Sequence, residues 1–591
     1  EWFSCLVNQR RAGERAPSFL SPARFVFVGH GHAGQSMLTL RQERPGSVTS
    51  MTLVGVIVGV VASTTFLAPV TVAQETDADV VAETGYWQEV FQGKRILEME
   101  LRFTARAWQA MQPAAGQRQP GGFPRGDQAE FSYARASLTI DGKQLEDVGA
   151  RFKGNSSYRS SQRGFKRPFK IDTNRFVKGL KWHGRTKLNL SNSFKDASYL
   201  REKLGYEIFQ AAGLPVPGVG WVHLTLTVEG QVAQRDLGLY VLVEQVDDDW
   251  IERKYGAKSA STVLMKPEGF VEWPYLGENL SAYDRYSIKE GEKNTVLMKR
   301  FVAFLRLLKE SEPSEFAQQV DQYLDLDNWA QYFAANTLLV NLDSMVAMSH
   351  NYYLLIDSAD GLIKILPWDL NECFGLFTVG ASPQDLVRWD IQHPWVMENK
   401  LLSRLFDVPE FSKRYEAAIG ELMKSAFRLE AINRRIAEFQ PRLEAVLREN
   451  GHSDEIRPMR ESIEGGQASG ESFRGSAIGL KYFMKQRVAS VQGQLAGSEE
   501  GVKLQQRRRR GGPPFGPPPG MDREGPMIPG MPVIEALDAD RNGVLPVEEI
   551  KQAANRLKKL DRNGDGKLSP MEYEFGIRPR RERPGFPPRP R

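Results

Sequence analysis

From Phe131 to Ile171, apolar and polar positions alternate through ARASLTI, VGARFKG and FKRPFKI, the period of strands with one buried face. Asp141-Gly142 stands between the first two runs and predicts a tight hairpin turn. Residues 84–111 alternate and then turn helical through Val90, Ile96, Leu97, Met99, Leu101 and Trp108. Between Asp196 and Ala212 the period changes. Leu200, Leu204 and Ile208 recur at helical spacing, with Asp196 or Ser198 as the cap and Gly213 and Pro215 as the stop. GWVHLTLTVEG and GLYVLVEQV predict two further strands, and residues 294–342 mostly helix. NYYLLID and LIKILPWD predict a second hairpin, turning at Ala359-Asp360-Gly361, and residues 395–495 are helical throughout. A β-rich part with one long helix, followed by a helical part carrying a hairpin, predicts an α+β, two-lobed domain over residues 84–495.

The pattern fails elsewhere. Residues 112–130 are rich in Pro, Gly and Gln and read as a surface insertion. Residues 497–530 hold almost no core-forming side chains, so burial cannot offset their ordering entropy and a disordered Pro/Gly/Arg linker is expected. The basic tail, residues 577–591, is expected to be disordered as well. Residues 1–50 show no apolar periodicity and read as a non-native or unstructured extension, with Met37 or Met51 as the start. Met51 to Ala73 is a continuous apolar run, preceded by Arg41 and Arg44 and followed by Glu75. Thr71-Val72-Ala73 has the small-x-Ala form of a signal-peptidase site, so residues 51–73 read as the signal peptide of an exported protein. An uncleaved run of this length also spans a bilayer; Pro69 and the junction at Gln74 favour cleavage.

Composition narrows the classes. Hydrophobic residues make up 41% and charged residues 26%, ordinary globular usage. The net charge of +5 is weighted by Arg507 to Arg510 and the tail, which leaves the globular part near neutral and gives no case for nucleic-acid binding. Cys5 and Cys373 cannot build a disulfide framework, and the 7 histidines show no zinc-ligand spacing.

The sharpest motif lies in residues 531–576. DADRNGVLPVEE offers Asp538, Asp540, Asn542, the Val544 carbonyl and Glu549; DRNGDGKLSPME offers Asp561, Asn563, Asp565, the Lys567 carbonyl, Ser569 and Glu572. Oxygen donors at this spacing wrap Ca2+, with a bidentate Glu closing each loop and Gly543 or Gly566 at the sharp turn. Pro546 deprives the first loop of one side-chain oxygen. The joining segment EEIKQAANRLKKL predicts a helix with Ile550, Ala554 and Leu557 on its apolar face, and hence a small all-α EF-hand pair.

Residues 85–480 resemble the CotH kinase family. The motifs stand in the family's order: Gly149-Ala150-Arg151-Phe152-Lys153-Gly154-Asn155-Ser156-Ser157, the Lys166/Lys170 strand, and Asp196 with Leu200-Arg201-Glu202-Lys203-Leu204. Gly238-Leu239-Tyr240 through Glu244, Asn341-Leu342-Asp343 with Asn351-Tyr352-Tyr353, and Pro367-Trp368-Asp369 with Phe374-Gly375 follow. The resemblance implies an atypical protein-kinase-like domain that moves the ATP γ-phosphoryl group to protein hydroxyls with Mg2+ or Mn2+. It makes Asp343 the base or orienter and Asn351 and Asp369 the metal ligands. Gly154, Ser156 and Ser157 would cradle phosphate in a loop, with Lys166 or Lys170 as the cation beside it. Glu244 would lie at the nucleotide hinge or pair with a basic residue such as Arg201. The family often has a second acid two residues after Asp369, where this chain has Asn371. Expected partners are exported or envelope proteins, ATP and calcium, with a membrane only if the signal segment is uncleaved. The competing reading is a non-catalytic envelope or coat scaffold with calcium-dependent docking.

Overall fold

The computed structural model describes residues 85–504 apart from 114–130, 155, 163, 257–260, 269–272, 398, 467–470, 473–474 and 477, together with 537, 547–561 and 566. The signal-segment, tail and most linker readings lie outside the described residues. Among the described residues no helix is long and apolar enough to cross a membrane.

A helix over residues 85–91 (α1) leads into β1 (Leu97–Phe103), α2 (Ala105–Met111), β2 (Ala134–Ile140) and β3 (Lys143–Phe152). Then come α3 (Ser156–Ser161), β4 (Phe169–Asp172), β5 (Lys187–Ser191), α4 (Arg201–Ala211), β6 (Val219–Val228) and β7 (Val232–Glu244). The strands close a barrel in the order β1-β2-β3-β4-β5-β7-β6, antiparallel except where β1 runs parallel to β6. Alternation puts Phe152, Phe169 and Leu190 into the apolar core of the barrel. It leaves Arg151, Lys170 and Asn189 in register on the other face of β3, β4 and β5.

The chain continues through α5 (Asp248–Tyr255), β8 (Thr262–Pro267), β9 (Tyr286–Glu290), α6 (Thr295–Glu310), α7 (Pro313–Gln319), α8 (Leu326–Leu339), β10 (Tyr352–Asp357) and β11 (Ile363–Pro367). These four strands form a second sheet in the order β11-β10-β8-β9. Helices α9 (Pro383–Val387), α10 (Lys400–Phe406), α11 (Pro409–Lys424), α12 (Leu429–Glu449), α13 (Ser453–Glu464) and α14 (Leu480–Leu495) complete an α+β architecture. The second sheet, α4 and these helices share a second apolar core. Helix α8 is apolar on nearly every side because nearly every side is buried; Asp325 caps it by accepting from Asn328 N, and Trp329 Nε1 donates to Ile363 O at 2.8 Å.

The hairpin at Asp141-Gly142 forms as read, with φ of +48° and +80° at its two turn residues. The second hairpin pairs Tyr352 with Pro367 as its register requires. Four readings are corrected. The order at the start is helix, strand, helix, because Val90 belongs to α1 and Leu97 to β1. Helix α4 begins at Arg201, not Asp196: the Asp196 carboxylate instead accepts from Ser198 N, Ser198 Oγ and Arg201 N, building a turn ahead of the helix. The hydroxyl-rich segment after Gly154 is the short helix α3 and not a loop, with Tyr158 buried against Phe131 and Phe152. The linker begins later than residue 497. Val502 exchanges backbone hydrogen bonds with Arg388 and Asp390, and Leu504 is buried, so these two apolar side chains anchor the first residues of the segment.

At the C-terminus, α15 (Val547–Leu557) forms where the helix between the two calcium loops is expected. Asp561 Oδ2 accepts from Gly566 N at 2.8 Å, and Gly566 takes φ +77°, a left-handed turn that glycine adopts without strain. Glu549 lies on α15; the other residues expected to ligate calcium, except Asp561, lie outside the described residues.

Candidate active site

Chain segments far apart in sequence converge where β3 and β11 end and α4 begins. Lys153 follows β3 directly, Glu202 lies in the first turn of α4, and Asp369 stands two residues beyond β11. The approach of α4 is made possible by Gly205, where a Cβ would lie 2.9 Å from Cys373 Sγ and 3.4 Å from Leu370 Cβ. A mid-helix glycine costs about 1 kcal/mol against alanine, so close packing is its physical reason here. Arg201, wholly buried beside it, donates to Phe374 O at 3.1 Å and Ile478 O at 2.6 Å, and faces Asp196 at 3.5 Å. These contacts lock α4 onto the segment after Asp369.

Asp369 itself is exposed, with φ +58° and its N–H donating to Tyr206 Oη at 3.2 Å. A left-handed aspartate is strained backbone of the sort that persists where its surroundings hold it. Asn351, at φ +57°, accepts from Trp368 N through its carbonyl at 3.2 Å, so the hairpin brings the start of β10 beside Asp369. The Asn351 amide donates to Asp343 Oδ2 at 3.1 Å and Asp343 O at 2.8 Å, while His350 Nε2 meets Asp343 Oδ1 at 2.8 Å. Lys195 pairs with both oxygens of the buried Glu372 at 2.6 Å.

Charges in the cleft perturb one another. Burial pushes the Asp343 carboxyl up, but His350, Lys195 and the Asn351 amide outweigh it and hold the group below its ordinary value. Burial pulls the His350 ring down, and Asp343 with Asp369 more than reverses this. Glu202 is pushed up to about 8, first by burial and then by Asp369, with Lys153 opposing. Glu372 rises to about 7 through burial and the nearby Asp343. Burial lowers Lys153, against the pull of Asp369 and Glu202. Lys170 falls to about 7, first through burial and then through Arg151, Lys187, Lys153 and Lys266, a cationic face across β3, β4, β5 and β8. Perturbed titratable groups gathered in one cleft mark a functional site.

The sequence matches the family described as CotH kinase protein over residues 150–491, more than half of the chain. The chain belongs to the CotH kinase family. Inner spore coat protein H of Bacillus subtilis (strain 168) is 23% identical over 267 residues, which is 44% of this chain and 69% of that protein. The crystal structure of the Helicobacter pylori proinflammatory kinase CtkA aligns at 11% identity over 57% of this chain and 95% of its own, with a TM-score of 0.18, too low for the superposition to bear on the fold.

Of the residues the family resemblance singled out, Asp343, Asn351 and Asp369 come together. Lys170, in register with Arg151 on β3, has its ammonium 2.7 Å from Gln245 Oε1 and shares only Lys153 as an electrostatic neighbour with that group. Lys166 does not join them: it precedes β4 and its ammonium is held by Tyr199 Oη at 2.8 Å and both oxygens of Glu455 on α13 at 3.1 Å. Glu244 is a buried ion pair with Arg185 at 2.6 Å and Arg253 at 3.0 Å, and it also accepts from Gly218 N; its basic partners are these and not Arg201. A pocket of about 10 Å3, lined by Arg185, Lys187, Gln245 and Asp247, lies beside it, far too small to enclose a nucleotide-sized ligand. Gly154, at φ +71°, marks the sharp turn into α3, on which Ser156 and Ser157 open the first turn. Lys153, Glu202, His350 and Glu372 escaped the sequence reading. Lys153 and Glu202 both lie within the family's motifs, but only the approach of α4 to Asp369 distinguishes them from neighbouring lysines and glutamates.

Proposed function

We propose that this protein transfers the γ-phosphoryl group of ATP to hydroxyls of exported or envelope proteins, with Mg2+ or Mn2+. The observation carrying the reading is the convergence of Lys153, Glu202 and Asp369 from three separate elements beside the Asp343–Asn351 pair. A divalent cation fits this donor set, because Asp369, with an exposed carboxylate, follows the Trp368 that is hydrogen-bonded to the Asn351 carbonyl, and the buried Glu202 Oε2 has no hydrogen-bond partner. When bound, the cation would supply positive charge against that developing on the transferred phosphate. Asp369 and Asn351 would hold it. Lys153 and Lys170 would meet the phosphates, and the amides around Gly154, Ser156 and Ser157 would cover them. Asp343 orients the acceptor hydroxyl and takes its proton as the oxygen attacks the γ-phosphorus; the bond to the β-phosphate oxygen breaks and ADP departs with that electron pair.

The test is a thermal-shift titration of the full chain with ATP and Mg2+ or Mn2+, followed by transfer of labelled γ-phosphate. Asp369→Ala is expected to abolish metal–nucleotide binding, and Asp343→Ala to spare binding and lower turnover by several orders of magnitude. No ATP binding by the wild type overturns the kinase reading. A second reading, a coat or envelope scaffold, draws on the name of the Bacillus relative and on Asn371 where the family often has an acid. Binding of Ca2+ by the loops at 538–549 and 561–572 belongs to either reading; the Asp561–Gly566 turn supports it. Export likewise rests on the apolar run at residues 51–73 and on that relative's location.

A further inference from the structure

Glu202 is a buried carboxylate with an unfinished set of partners. Its side chain is 4% exposed, one oxygen faces the Leu370 amide, and Oε2 has no hydrogen-bond partner. A buried carboxylate oxygen left unpaired is costly, and an ion is one of the few things that resolves it. The nearest cation does not: Lys153 makes no ion pair within 4.0 Å among the described residues, and its ammonium stands 5.9 Å from the Trp368 ring centroid. The charges closest in effect to Glu202 are Asp369, Lys153 and Asp196. Two carboxylates thus share one cleft wall with a single uncommitted ammonium. Asp196 is already bound to Ser198 and Arg201, so Asp369 is the carboxylate left facing the cleft.

The backbone holds this pair in place. Gly205 lets α4 press on Leu370 and Cys373, and Tyr206 accepts from Asp369 N. Both acids therefore lie on one rigid unit. Beyond Asp369 the chain offers Asn371, a neutral side chain, so a cation held by Asp369 lacks a second carboxylate from its own segment. We propose that Glu202 supplies it: Glu202 and Asp369 ligate the divalent cation together, and Lys153 is left free for phosphate rather than spent on an ion pair with Glu202. Oxygen ligands on a rigid frame suit Mg2+ or Mn2+. The inference rests on the kinase reading and adds a ligand to it.

The two roles open to Glu202 separate in a metal titration. Free Mn2+ is followed by electron paramagnetic resonance as it is added to the full chain with ATP, for wild type, Glu202→Gln and Lys153→Met; the C-terminal loops are common to all three and cancel. As a metal ligand, Glu202→Gln weakens Mn2+ binding tenfold or more even at saturating ATP, whereas Lys153→Met weakens it only through the lost phosphate contact and returns to within twofold of wild type once ATP saturates. As a partner of Lys153 alone, Glu202→Gln leaves Mn2+ affinity unchanged, which overturns the inference and spares the kinase reading. Melting gives a second readout. The Mn2+-dependent rise in Tm expected for wild type disappears in Glu202→Gln. A Glu202→Gln variant that keeps the Mn2+ rise counts against the proposal. If wild type binds no Mn2+–ATP, both readings fall.

Discussion

Lys170→Met tests whether the cationic face of the cleft is held at the expense of stability. Lys170 stands opposite Arg151 on β3 and Asn189 on β5, and its ammonium has one neutral acceptor, Gln245 Oε1 at 2.7 Å. Burial, then Arg151, Lys187, Lys153 and Lys266, take its pKa from 10.5 down to about 7. At ~1.36 kcal/mol per pKa unit the shift is worth about 5 kcal/mol at the limit. Solvent screening of a partly exposed side chain brings this to about 1–3 kcal/mol. The folded pKa lies below the unfolded one, so between the two the unfolded chain binds more protons, and wild-type stability rises with pH from about 7 to 10.5. Below pH 7 the penalty is present in full. Methionine keeps the length of the side chain and removes the charge, at the loss of a hydrogen bond worth about 1 kcal/mol. Urea unfolding followed by tryptophan fluorescence should find the variant up to about 2 kcal/mol more stable than wild type at pH 6.5, with the difference closing towards pH 10. Taking the difference removes Glu202 and Glu372, which titrate in the same range. A variant less stable at pH 6.5, or a gap that ignores pH, would refute the argument. The same substitution should weaken triphosphate binding, since an anionic ligand is what relieves the repulsion.

Arg201→Met should cost about 3–5 kcal/mol in urea unfolding, because it strands the buried Asp196 and frees two buried carbonyls; a loss below about 1 kcal/mol would show that this junction does not hold α4. His350→Gln removes the ring that holds the Asp343 carboxyl low, so the acidic limb of the phosphotransfer pH profile should move to higher pH while the Kd for ATP stays the same. An unmoved limb would separate His350 from Asp343 function. Glu572→Gln should lower calcium affinity at the second loop by about tenfold or more in calorimetry of the full chain, and a wild type with no calcium heat would remove the EF-hand reading.

Periodicity was enough to place most strands of the barrel and α8, because one buried face writes itself into the chain every second residue or every third to fourth. It also paired Asn351 with Asp369, since a hairpin's register follows from its turn. The strands β5, β8 and β9 went unread: KLNLS and YSIKE are short and flanked by charge, and only their neighbours in the sheets make them strands. The site divides in the same way. Asp343, Asn351 and Asp369 end apolar elements and were legible as such. Lys153, Glu202, Lys166 and Glu244 were not separable by sequence, because a lysine or glutamate on a strand or helix has the same local signature whether it faces a cleft or an ion pair. Tertiary contact decided them: the glycine at 205 brings Glu202 to Asp369, whereas α13 places Glu455 against Lys166, and Arg185 with Arg253 satisfies Glu244.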